Sequence, residues 1–128
     1  MLNLNSLMVG SSKPKKLSEF YGKVIGNKPE WEDGEWSGWQ VGNFHLTIGP
    51  HSEVEKKAKE PQRMILNFET DNVKEEFERI KGLGAEVIKE PYAMTEEGEV
   101  TEDDSGMLIA TFADPDGNYF QLMSPWNP

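Results

Sequence analysis

The chain has 128 residues, no cysteine and a formal net charge of −10. This length predicts one domain that buries a core without disulfides, and the absence of cysteine excludes thiolate metal sites and cysteine nucleophiles. The negative charge argues against a nucleic-acid partner, which requires a cationic surface, but is compatible with a cationic ligand.

The sequence gives no sign of a membrane protein. No apolar run approaches the length of a membrane span, and residues 1–5 lack the basic start and apolar centre of a signal peptide. A cysteine-free composition also fits a reducing compartment. We therefore expect a cytoplasmic protein with no membrane partner.

The first half of the chain predicts a strand, a helix and three further strands. Apolar side chains recur at helical spacing between a capping Ser12 and a terminating Gly26. Turn residues Asp33-Gly34 and Gly42-Asn43 separate the strands that follow the helix. The predicted strands are 2–9, 30–33, 35–41 and 44–48.

The second half repeats this order. A possible capping box of Asn72 and Glu75 opens the second helix, and Gly84 closes it. The predicted strands are 63–70, 86–92, 107–112 and 118–123. We therefore predict a single α+β domain of tandem βαβββ modules, with module one at 1–51, a charged linker at 52–61 and module two at 62–128. An acidic segment at 96–104 predicts a solvated loop.

The last predicted hairpin is the most specific local pattern. Asp114 can cap the turn, Pro115 presets the backbone at its first corner, and Gly117 supplies a positive φ. Gln121 stands between Phe120 and Leu122, so strand alternation sends its side chain to the opposite face of the sheet.

This hairpin also carries a resemblance to a known family. The run Asp-Pro-Asp-Gly-Asn, an aromatic residue and then Gln-Leu, within residues 114–122, is similar to the last hairpin of the vicinal oxygen chelate superfamily. That superfamily includes glyoxalases, bleomycin-resistance proteins and extradiol dioxygenases. The resemblance implies curved mixed sheets around a cavity, helices outside, a small-molecule ligand and a homodimer.

The resemblance also implies positions for a divalent metal. Metal-dependent members use His or Gln on the first strand, Glu on the fourth, His on the fifth and Glu on the eighth. These positions correspond here to Ser6, His45 (or Leu46 or Thr47 with a shift), Ile65 and Gln121. A hydroxyl is a weak ligand and an aliphatic side chain is none, so we predict no bound metal and no other cofactor.

Aromatic and polar side chains outside the helices predict a ligand site instead. Tryptophans offer flat faces to aromatic or cationic ligands, but core packing explains them equally well. His45 is either a cavity residue or a structural sheet histidine, and His51 is predicted to lie in a surface loop. No catalytic residue is identified. The predicted ligand-binding residues are Trp36, Trp39, His45, Thr47, Asn67, Gln121 and Met123.

Two functions remain open at this point. The first is a metal-free protein of the bleomycin-resistance type that sequesters a small apolar or cationic molecule. The second is a divalent-metal lyase or dioxygenase of the same superfamily, in which Gln121, His45 and a further residue hold the ion. Whether the chain is an enzyme is left undecided by the sequence.

Overall fold

The computed structural model describes residues 1–54, 57–94, 100–101 and 107–125. The chain divides into two compact units, Met1–Lys57 and Ala58–Pro128. Among the helices of the described residues, none is long and apolar enough to cross a membrane.

The first unit is a four-stranded mixed sheet with one helix. Its elements are β1 (Ser6–Ser11), α1 (Pro14–Ile25), β2 (Trp31–Asp33), β3 (Trp36–Val41) and β4 (Phe44–Pro50). The strand order is β1-β4-β3-β2, with β1 parallel to β4 and the other pairs antiparallel. The buried residues Leu17, Tyr21 and Val24 place the apolar stripe of α1 in the core.

The second unit repeats this plan with an extra short strand. Its elements are β5 (Leu66–Glu69), α2 (Val73–Gly82), β6 (Glu86–Met94), β7 (Val100–Thr101), β8 (Met107–Ala113) and β9 (Tyr119–Met123). The order is β5-β9-β8-β6-β7, with only the β5–β9 pair parallel. Two helices and two mixed sheets confirm the predicted α+β fold class, and neither sheet closes on itself.

Each helix packs on one face of its own sheet. In the second unit Phe77 of α2 stacks on Phe112 of β8 at 5.1 Å between ring centroids, and Phe112 stacks on Phe120 at 5.4 Å. All three side chains are buried. Burying such rings stabilises the module by about 1.5–3 kcal/mol each, so the core of each unit lies between helix and sheet.

Both predicted N-terminal helix caps are wrong in detail. Helix α1 begins after Lys13, with Pro14 in its first turn, and Ser12 makes no cap because proline already fits the first helical position. Asn72 does precede α2, but its side chain forms no capping hydrogen bond, so the capping box with Glu75 does not form. Gly26 ends α1 in the left-handed conformation, as predicted (φ 88°).

The final hairpin forms as predicted. The Oδ1 atom of Asp114 accepts hydrogen bonds from the backbone N–H groups of Asp116 (2.8 Å) and Asn118 (2.9 Å). Gly117 takes a positive φ of 82°. This turn fixes the register of β8 on β9, which pairs Thr111 with Gln121.

The first strand differs most from its prediction. It begins at Ser6 rather than at residue 2, and Leu2 and Leu4 are exposed. The reason is pairing, because β1 becomes a strand only where β4 runs beside it, from the Ser6–His45 pair onward. Trp126 and the acidic segment 96–104, apart from β7, lie outside the described residues.

Candidate functional site

The face of each sheet that does not contact its own helix carries most of the predicted site residues. In the first unit, Trp39, Leu46 and Ile48 are buried on the side of α1, where the hydroxyl groups of Ser18 and Ser37 hydrogen bond at 2.7 Å. Alternation sends Trp36, His45 and Thr47 to the other side. We call this other side the helix-free face, in each sheet.

Two tryptophans lie flat on the helix-free face of the first sheet. Trp31 pairs directly with Gly38, and a Cβ atom added to that glycine would overlap the indole ring. A Cβ atom on Gly49 would overlap the ring of Trp36 in the same way. Glycine therefore lets each ring lie against the backbone of the neighbouring strand.

Trp31 is the residue that sequence reasoning missed. Its side chain is 46 % exposed, and Met8, on the same face, is 49 % exposed. A signal was present in the sequence, because the Asp33-Gly34 turn sets Trp31 opposite Gly38 and Gly38 has no side chain to cover the indole. The face therefore presents exposed aromatic and thioether surface.

Trp39, by contrast, is a core residue. Its side chain is 2 % exposed, it lies near Gly22 of α1, and its Nε1 donates a hydrogen bond to the carbonyl of Asn27 at 3.1 Å. Of the two readings left open for the tryptophans, core packing holds here. The parity of β3 is the cause, because Trp39 is an odd number of residues from Trp36.

The remaining predicted residues of the first sheet lie on its helix-free face. Thr47 pairs with Met8 on one side and Gly38 on the other, and it is half-buried. His45 is exposed, and among the described residues its imidazole has no hydrogen-bond partner. His51 lies in a loop, where its Nδ1 accepts a hydrogen bond from the N–H of Glu53 (3.2 Å).

On the second sheet, Gln121 is held by a neighbouring hydroxyl group. Its Nε2 donates to Oγ1 of Thr111 at 3.1 Å, and Thr111 is buried. Asn67 pairs with Gln121 in the parallel β5–β9 pair and is exposed. Met123, two residues after Gln121 on β9, is half-buried. These three predicted residues share the helix-free face of the second sheet.

The strand register shows which of the positions assigned to metal ligands lie side by side. In the first unit Ser6 pairs with His45, as assigned, and Met8 pairs with Thr47. In the second unit Gln121 pairs with Asn67 rather than with Ile65. Met8 and Asn67 stand at the same offset before the first residues of α1 and α2, so they are equivalent positions of the repeat.

The donors at these positions do not fit a divalent metal. The first sheet presents the thioether of Met8, the hydroxyl of Thr47 and a single imidazole, that of His45, and the second sheet presents the amides of Asn67 and Gln121. Divalent-metal sites use several carboxylates and imidazoles. No group of three or more His, Cys, Asp or Glu side chains suited to a metal is found among the described residues.

A large open groove lies between α1 and the β2–β3 hairpin of the first unit, and Trp36 is among its lining residues. Its volume is about 870 Å³. Its charged lining residues are Lys15, Glu19, Lys23, Lys28, Glu32 and Glu35. Long side chains of both signs are typical of a solvated surface, so this groove is not the candidate site.

Comparison with known proteins gives the class and then the family. The paired modules define a vicinal oxygen chelate fold, and similar solved structures share it. A glyoxalase-related enzyme from Fulvimarina pelagi is 18% identical, with a TM-score of 0.73, over 98% of this chain and 89% of that one. A glyoxalase/bleomycin resistance protein/dioxygenase family enzyme from Burkholderia phytofirmans PsJN is 19% identical, with a TM-score of 0.72, over 96% and 98%.

Lactoylglutathione lyase from Agrobacterium tumefaciens is 16% identical, with a TM-score of 0.69, over 97% of this chain and 94% of that one. None of the curated proteins matches the sequence significantly. The model of the glyoxalase-like domain matches residues 6–123. The chain therefore belongs to the glyoxalase-like domain family, within the vicinal oxygen chelate superfamily.

Proposed function

We propose that this chain is a metal-free small-molecule-binding protein that sequesters an apolar or cationic ligand. The observation that carries the proposal is the pair Trp31 and Trp36 on the helix-free face of the first sheet, each lying against a glycine. Indole faces bind aromatic rings by stacking and attract cations through their π electrons.

The polar residues of these faces would orient a bound ligand by hydrogen bonding rather than catalyse a reaction. Thr47 and Gln121 are neutral hydrogen-bonding groups, and Gln121 is held in place by Thr111. Apolar surface beside a few placed polar groups is typical of ligand binding. We propose His45 and Thr47 on the first sheet, and Asn67, Gln121 and Met123 on the second, as ligand contacts, with Trp31 taking the place first predicted for Trp39.

The direct test is binding of a small aromatic probe to tryptophan variants. We expect 1-naphthalenemethanol or 1-naphthylmethylammonium to change the tryptophan fluorescence of the protein. Trp31→Ala and Trp36→Ala should each weaken binding by about 1–3 kcal/mol, the range for a buried aromatic contact. Trp39→Phe is the matched control and should leave affinity unchanged, and equal affinities for all four proteins would overturn the proposal.

The alternative is a divalent-metal lyase or dioxygenase, and metal content separates the two functions. Similar structures include proteins described as enzymes, so the fold itself permits catalysis. We expect purified protein to hold no stoichiometric Zn²⁺, Mn²⁺, Ni²⁺ or Fe²⁺ in elemental analysis. One equivalent of bound ion that is lost in Gln121→Ala would favour the enzyme.

A further inference from the structure

The side chain of Lys89 lies on the helix-free face of the second sheet, in line with polar residues of the neighbouring strands. The strand register aligns Asn67, Gln121, Thr111 and Lys89 across β5, β9, β8 and β6. All four side chains are hydrogen-bond donors, and Lys89 adds a full positive charge. Nothing in the sequence pattern singled out Lys89, because its place depends on the irregular pairing of β6 with β8.

The orientation of Lys89 follows from its neighbours. Thr111, its partner on β8, alternates with the buried Ala110 and Phe112, which lie on the helix side. Beyond the register shift, Tyr92 pairs with Ile109, which shares the parity of Thr111. The Nζ atom of Lys89 lies 5.4 Å from the ring centroid of Tyr92, which places both side chains on the same face.

The charge on Lys89 is not neutralised within the described part of the chain. No described carboxylate forms an ion pair with it. On the same face, Glu69 belongs to β5, three strands away, which is about 14 Å at the usual strand spacing. Glu86 lies further along β6, about 10 Å from Lys89. Among the described residues, Lys89 therefore carries a positive charge without an ion-pair partner, in a protein whose net charge is −10.

We propose that Lys89, with Thr111 and Gln121 on the two neighbouring strands, binds a carboxylate or similar oxyanion. This inference rests on the proposed ligand-binding function, of which Gln121 is a contact, and it assigns an anionic rather than a cationic group to the molecule bound at this sheet. The Tyr92 ring restricts the ammonium group to the helix-free face, and the Gln121–Thr111 hydrogen bond fixes the neighbouring amide. A charged hydrogen bond from lysine to an oxyanion is stronger than one between neutral groups.

Three probes of matched shape and different charge test the proposal. They are 1-naphthoate, 1-naphthalenemethanol and 1-naphthylmethylammonium, with binding to the full chain measured by equilibrium dialysis and naphthalene fluorescence. We expect 1-naphthoate to bind about three- to tenfold more tightly than the alcohol, the range for one solvent-accessible charge contact. This preference should shrink as salt is added, because salt screens an accessible charge.

Lysine variants assign that preference to one residue. Lys89→Gln should remove both the preference for 1-naphthoate and its salt dependence, while affinity for the alcohol stays the same. Lys89→Arg should keep both, since the charge is retained. Lys81→Gln is the matched control, because Lys81 also lies over a ring, that of Phe77 (5.9 Å), but on helix α2. It removes the same charge and should leave all three affinities unchanged.

The outcomes distinguish failure of the oxyanion site from failure of the proposed ligand-binding function. Equal binding of the three probes, or tighter binding of the alcohol or the ammonium, would overturn the oxyanion site and leave the binding function intact. An anion preference that survives in Lys89→Gln would also overturn it. Failure of all three probes to bind would contradict the ligand-binding function and this inference with it.

Discussion

At the scale of single residues, tryptophans that lie close together in the sequence differ in burial and in hydrogen bonding. Trp31, Trp36 and Trp39 stand within nine positions, yet Trp39 is buried with its Nε1 satisfied by a carbonyl, while Trp31 is nearly half exposed. Strand parity and glycine pairing make the difference. Composition alone cannot separate core tryptophans from exposed ones.

The most testable single residue for stability is Asp114. It is 5 % exposed and accepts backbone hydrogen bonds from Asp116 and Asn118. Asp114→Ala should lower the free energy of unfolding by about 1–3 kcal/mol, because it leaves these half-buried donors without their acceptor. Urea unfolding followed by circular dichroism measures the change.

Asp33, which is exposed at the end of β2, supplies the control. Asp33→Ala should change the free energy of unfolding by less than about 0.5 kcal/mol, as for an ordinary surface position. Asp114→Asn, which keeps a carbonyl oxygen in the same place, should cost less than Asp114→Ala. Equal effects of Asp114→Ala and Asp33→Ala would show that the carboxylate does not hold the turn.

At the scale of elements, the sequence predicted most of the features that depend on neighbouring residues and missed those that depend on distant ones. The final hairpin formed as expected, since a turn with proline and a positive-φ glycine specifies its own geometry. The helices were found from their apolar periodicity, and α2 begins directly after the predicted Asn72, but the start of α1 was missed because Pro14 occupies its first turn. The start of β1 depends on its partner β4, which is distant in sequence.

The hydrogen bond of Trp39 joins two elements and gives a second prediction. Trp39→Phe keeps the aromatic ring on the helix side but leaves the carbonyl of Asn27, just after α1, without its indole donor. We expect a loss of about 1 kcal/mol in the free energy of unfolding. Trp31→Phe, at an exposed position, should change it by less than about 0.5 kcal/mol. Thermal or urea unfolding measures both changes. A larger loss of stability in Trp31→Phe than in Trp39→Phe would contradict the assignment of Trp39 to the core.

At the scale of the whole molecule, the tandem modules were visible in the sequence, while the candidate site was visible only in part. Alternation correctly sent Gln121 and Thr47 to the helix-free faces. The offset that assigned Ser6 agrees with the register, which pairs Ser6 with His45, but the offset that assigned Ile65 does not, because Gln121 pairs with Asn67. Register is a non-local property, so counting from a helix cannot settle it.

Assembly is a prediction at this scale. Each sheet ends in edge strands, β1 and β2 in the first unit and β5 and β7 in the second, whose unpaired backbone groups favour further association. We expect a homodimer with isologous contacts. Sedimentation equilibrium at micromolar concentration should give twice the mass of the chain, 14.5 kDa. A single species at the monomer mass would contradict this expectation.

The central claim is that ligand binding here needs no metal. Calorimetric titration of 1-naphthalenemethanol into protein dialysed against EDTA, and into the same protein with added Mn²⁺, tests it most directly. We predict the same affinity in both solutions and weaker binding in Trp31→Ala, because the indole surface rather than an ion supplies the contact. Binding that appears only with Mn²⁺ and is lost in Gln121→Ala would contradict the account.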